Sequence, residues 1–143
     1  MNSYADTSFL LAWHGHDANF AQAIQHLPSS GIAWTLWNAV EFNNAARALV
    51  FRKIVVAEYI AVMGTSLRAA LAFGDLRSIS LDAHVLWEEA GRLSDAHTMR
   101  LGARTLDVLH VAAARILGCH QFLTFDQRQR TLALAAGLAC EKL

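Results

Sequence analysis

The segment LDVLHVAAARILGCHQFLTFDQRQRTLALAAGL, residues 106–138, runs helix, strand and helix in close succession. Its alanine-rich start reads as a helix over 106–117, with Thr105 placed to cap it and Gly118 to end it. Residues 120–125 form a short apolar strand, 127–136 a helix closed by Gly137, and 138–142 a last strand. Strands separated by helices of this length predict a parallel sheet covered on both faces, because parallel neighbours need a crossover.

The same alternation extends towards the N-terminus. Residues 2–6 read as a first strand, after which Thr7 or Ser8 is able to cap a helix. A second helix covers about 17–27. The turn Pro28-Ser29-Ser30-Gly31 holds the one proline and leads to a strand near 32–35. Thr35 or Asn38 is placed to cap a helix running to about Arg52, and 57–73 form another, bounded by Gly74. A strand near 77–81 precedes a helix from Asp82 to about His97. The fold class is α/β, in one domain over residues 1–143. More than one helix separates some strands, so the pattern is not the simplest doubly wound one.

Composition narrows the classes further. A hydrophobic fraction of 55% against 17% charged supplies a good core and excludes a disordered chain. The 12 basic residues balance the 12 acidic ones, giving no overall electrostatic sign of a nucleic-acid partner. Ten of the basic residues are arginine, which suits phosphate contacts and structural ion pairs alike. No stretch reaches the roughly 20 apolar residues of a membrane span. The start lacks a basic region and carries Asp6 within its apolar stretch, which argues against a secretory signal and for a cytoplasmic protein. Cys119 and Cys140 are too few for a zinc site and read as buried thiols.

Four acids stand where chemistry is expected. Asp6 and Asp126 each end a strand, the edge at which open parallel sheets bind ligands. Asp107 opens a helix and Glu41 lies early in another, both among apolar neighbours. A carboxylate in such surroundings costs several kcal/mol unless compensated. A hard divalent cation compensates it, since magnesium and manganese take oxygen ligands and keep several waters. Such an ion acidifies a water and neutralises phosphoryl oxygens, which suffices for phosphodiester hydrolysis. Each acid also has a plainer use: Asp107 as a helix cap, Asp6 and Asp126 as strand-to-helix turns, Glu41 as a partner for Arg52 or Lys53.

The segments YADTSFLLA (4–12), TLWNAVEFNNAAR (35–47) and 106–138, in that order, resemble the PIN domain, specifically the VapC-like toxin ribonucleases of type II toxin–antitoxin systems. The resemblance runs from residue 3 to the end. It is most specific in the last third, and between about 53 and 100 it extends only to helical character. It implies a three-layer α/β/α sandwich around a central parallel sheet. It implies an endoribonuclease dependent on Mg2+, with Mn2+ as an alternative, acting as a homodimer and blocked by a small antitoxin. Carried over by position, Asp6, Glu41, Asp107 and Asp126 take the four acidic places. Thr124 accompanies Asp126, and Thr7 is a further supporting hydroxyl. No acid is missing.

Around the acids, Arg104, Arg128 and Arg130 are the first choices for RNA phosphate contacts. Arg47 and Arg52 suit an antitoxin's carboxylates. His110 lies one turn after Asp107 and serves either as a packed histidine or as a group orienting Asp107 or touching a phosphate. Trp34 and Trp37 suit base stacking, core packing or a dimer seam. A haloacid-dehalogenase-like phosphatase needs a second Asp two residues after Asp6, where Ser8 stands. The remaining alternatives are a structure-specific DNA nuclease of the same metal chemistry and a non-catalytic dimerisation or antitoxin-binding module.

Overall fold

Side chains on a strand alternate between its two faces, so a parallel sheet buried on both sides sorts its residues into two cores. The computed structural model, which describes residues 2–143, shows this sorting. Tyr4, Ala33 and Phe122 point into one core with helical residues such as Leu86, Val111 and Leu132. Ala5, Ile32, Trp34 and Leu123 point into the other with helical residues such as Phe9, Ala23, Phe42 and Met63. The result is a three-layer α/β/α sandwich.

The elements run β1 (Ser3–Ala5), α1 (Thr7–Gly15), α2 (Phe20–Gln25), β2 (Ile32–Trp34), α3 (Leu36–Phe51), α4 (Tyr59–Phe73) and β3 (Leu76–Ser78). They continue with α5 (Ala83–Leu93), a π turn (Ser94–Thr98), α6 (Met99–Leu101), α7 (Thr105–Ile116), β4 (Gln121–Leu123) and α8 (Gln127–Ala135). The strands lie in the order β3-β2-β1-β4, and every pair is parallel. The chain steps outward from β1 to β2 and β3, then returns to the other side of β1 for β4. Strand order therefore reverses between β1 and β4, and the crevice beyond their carboxyl ends is where such sheets bind ligands.

Several boundaries differ from the sequence expectation. Asp6, not Thr7 or Ser8, caps α1: its backbone is extended and its carboxylate accepts from the Phe9 amide. Thr105 is the first residue of α7, and Arg104 occupies the cap, its amide donating to Asp107 Oδ2 at 3.1 Å. Thr35 and Asn38 act together at α3 as a reciprocal capping box. The helix expected over 17–27 begins only at Phe20, because Asp17 accepts from the Asn19 amide and holds a turn there. The strand expected over 138–142 shrinks to one bridge, Gln121 with Ala139. Gly31 closes the Pro28 turn at φ 76°, and a Cβ there would meet the Gly74 carbonyl at 2.7 Å. Only glycine fits that approach between β2 and β3.

No helix is long and apolar enough to cross a membrane among the described residues. Cys119 and Cys140 are free and buried.

Candidate active site

Strand ends and helix starts deliver the four acids to one place. Asp6 follows β1, Asp126 follows β4, Asp107 lies in the first turn of α7 and Glu41 in the second turn of α3. All four line a single cleft of about 210 Å3, together with Thr7, Ser8, Arg104, Leu106, His110 and Gln129.

Asp6 is the most enclosed, at 5% exposure. Its Oδ1 accepts from Ser8 Oγ at 2.7 Å and from the Phe9 amide, and its Oδ2 from Thr124 Oγ1 at 2.6 Å. Burial pushes its carboxyl above the ordinary range; the charge of His110 and these donors pull the other way without cancelling it. Glu41 is half-buried. Burial would raise its carboxyl too, but the His110 bond and charge and the Thr7 hydroxyl outweigh it and hold the group low. Two neighbouring carboxylates with opposed tendencies are a common sign of a working site.

Asp126 is exposed and caps α8, accepting from the Arg128 amide at 2.7 Å and the Gln129 amide at 3.2 Å. Thr124 ties it to Asp6: its hydroxyl donates to Asp6 and accepts from the Asp126 amide at 2.9 Å. Thr7 donates to Glu41 Oε2 at 2.7 Å. Glu41 pairs with His110 and Thr7, not with Arg52 or Lys53. Arg104 lines the cleft and is exposed. Arg128 is exposed beside Asp126, while Arg130 turns away to the Glu141 carbonyl and lies outside the cleft lining. Trp34 is a core residue, and Trp37 is half-buried with its ring edge towards His110.

Three residues of the cleft escaped the sequence reading in these roles. Ser8 donates to Asp6 and accepts from the Phe125 amide at 2.9 Å. Gln129 is buried, donates to the Asp107 carbonyl at 3.2 Å, and leaves its Oε1 without a partner among the described residues. His110 turns to Glu41, not Asp107. For Gln129 a signal existed: Asp126-x-x-Gln129 has the spacing of a capping box.

Among the described residues, no three carboxylate, imidazole or thiol groups stand close enough to enclose a metal ion by themselves. The donor set still suits a hard cation. Its oxygens are carboxylates, one buried glutamine oxygen is unpartnered, and magnesium binds through one or two carboxylates while keeping its waters.

A family model described as the PIN domain matches residues 3–134. No curated protein matches the chain by sequence. Among solved structures, VapC20 of Mycobacterium tuberculosis, a Sarcin-Ricin loop cleaving toxin, is 20% identical with a TM-score of 0.67, over 96% of this chain and 97% of that one. VapBC2 from Rickettsia felis, bound to a DNA fragment from its promoter, is 14% identical with a TM-score of 0.67, over 99% and 98%. PAE2754 from Pyrobaculum aerophilum is 18% identical with a TM-score of 0.62, over 98% and 83%. At such identities the likeness speaks for the fold.

Proposed function

The chain belongs to the PIN-domain family, and from that premise we propose that it is a metal-dependent endoribonuclease, the toxin of a toxin–antitoxin pair. The observation that carries this reading is the convergence of Asp6, Glu41, Asp107 and Asp126 on one cleft at the switch point of the sheet. These four carboxylates would hold Mg2+ or Mn2+, some directly and the others through the ion's waters. Bound there, the ion supplies an acidified water and neutralises charge on the phosphoryl oxygens.

The chain's own groups set the rest. Thr124 and Ser8 fix both oxygens of Asp6, and Asp126 is fixed by the first turn of α8. Ser8 donates to Asp6 and accepts from the Phe125 amide, so it pins the carboxylate to the turn after β4. Burial raises both cysteine thiols and keeps them unreactive. Water would be the nucleophile, and Arg104 at the rim, with Arg128 near it, would supply positive charge for the phosphate. RNA as substrate is supported by VapC20, which cleaves the Sarcin-Ricin loop. An antitoxin partner is supported by the VapBC2 pair. A homodimer in the cytoplasm completes the proposal.

The test is cleavage of total cellular RNA by purified protein with and without manganese, beside Asp6→Asn and Asp107→Asn. Asparagine keeps size and one oxygen but loses the charge that holds the ion. Cleavage should fall by at least 10²–10³-fold, roughly the loss seen when one preorganised charge-stabilising group is removed. Full activity in both variants would sink the metal mechanism. An inactive wild type that still binds its antitoxin would favour the non-catalytic binding module instead.

A further inference from the structure

Glu41 is the one acid of the cleft carried by a long side chain, and free rotation would take it out of position at a cost in entropy to recover. Two bonds prevent this, and both fall on the same oxygen. Thr7 Oγ1 of α1 donates to Oε2, and His110 Nε2 of α7 meets the same Oε2. Oε1 is thereby left for what enters the cleft. Glu41 thus joins three helices at one atom, and the α7 bond comes from a buried ring.

His110 is itself held. It is 2% exposed, and its Nδ1 lies 2.9 Å from the hydroxyl of Tyr4, a fully buried residue of the central strand. The Tyr4 ring meets it edge-on at 5.7 Å and stacks on Phe122, while Trp37 closes the other side at 6.3 Å. Glu41 Oε2 is a carboxylate oxygen and only accepts, so Nε2 is the donor to it, while the Tyr4 hydroxyl engages Nδ1 and fixes the rotation of the ring. We propose that Tyr4 and His110 form a relay that fixes the ring orientation and holds Glu41 with Oε1 presented to the cation. Both are positioning residues, and neither touches the reacting atoms. The inference rests on the cation-binding reading above and adds to it which residues orient the second carboxylate.

The experiment measures Mn2+ affinity by titration calorimetry, with melting of the metal-free proteins alongside. The proteins are wild type, His110→Gln, His110→Leu, Tyr4→Phe and Asp6→Asn. Glutamine places an N–H where His110 Nε2 lies; leucine fills the space without a donor. Loss of an outer-shell partner of a metal ligand costs roughly 10- to 100-fold in affinity. His110→Leu should weaken Mn2+ by that amount, His110→Gln should restore most of it, and Tyr4→Phe should fall between. Wild-type affinity in a folded His110→Leu would overturn the relay, and so would glutamine no better than leucine, since packing would then explain the loss. If His110→Leu does not fold, Tyr4→Phe carries the test, and its unchanged affinity overturns the proposal. No Mn2+ binding by wild type, or equal binding by Asp6→Asn, would instead remove the cation reading itself, and the relay with it.

Discussion

Each helical layer of the sandwich seals a histidine from water, and the two are set in opposite ways. His110, in the α5–α7–α8 layer, has partners on both ring nitrogens and looks onto the carboxylates of the cleft. His14, in the α1–α4 layer, is 0% exposed and sits between Trp13 at 4.2 Å and Phe42 at 5.8 Å. Its Nδ1 reaches Ser66 Oγ at 2.9 Å, but its buried Nε2 has no partner among the described residues. Burial, with the charge of His16 added, drives its pKa down to about 4. Equal burial thus carries no functional meaning alone. The surroundings of His110 hold charge at the sheet edge; those of His14, deep between α1, α3 and α4, exclude it and supply stability.

If that division holds, damage in the α1–α4 core away from the cleft residues Thr7, Ser8 and Glu41 should cost stability and spare turnover. Met63 is 1% exposed on α4, and its methyl lies near Gly15 of α1. Met63→Ala removes buried volume there and should cost about 2–5 kcal/mol. Denaturant titration reads the loss, and kcat measured well below the transition should match wild type. A drop in kcat of the folded variant would show that the layers are coupled.

A smaller effect separates the histidines by pH. A base whose folded pKa lies below its unfolded value binds fewer protons when folded. Its stabilising share is complete above pH 6.5 and is lost as pH falls towards 4. For His14 the gap amounts to about 3 kcal/mol. Asp6 works in the opposite sense, because a raised carboxyl favours the folded state as pH falls. Comparing wild type with His14→Gln cancels that contribution. The wild type should lose about 3 kcal/mol more than the variant between pH 6.5 and 4; parallel profiles would mean that His14 is solvated.

The same contrast marks what the sequence made legible. The four acids could be found because each adjoins a strand end or a helix start, features local in sequence. The parallel sheet followed from strands alternating with helices. The relay was hidden because its bonds span 106 and 69 residues, whereas spacing along one helix related His110 only to Asp107. Caps were misplaced for a related reason. Hydroxyls at Thr7, Ser8 and Thr105 are good caps in isolation, but Asp6 and Asp107 had already taken the amides. The last strand failed since only Ala139 finds a ladder partner beside β4. Local chemistry was readable; pairings made by the fold were not.

The smallest effect tests the charged region directly. Burial leaves the Asp6 carboxylate at the cleft short of compensation and raises its carboxyl, so a cation beside it has unfavourable charge to offset. A cation that binds only the folded state stabilises it by about 2.7 kcal/mol at a hundredfold excess over its dissociation constant. For a chain of this size that is a rise in Tm of roughly 5–10 °C. Manganese should therefore raise the melting temperature of wild type and Met63→Ala alike, since the metal meets only the cleft. Asp6→Asn should show little rise, because it lacks the charge that holds the ion. An equal shift in Asp6→Asn would place the ion elsewhere, and the contrast between the two layers would lose its chemical basis.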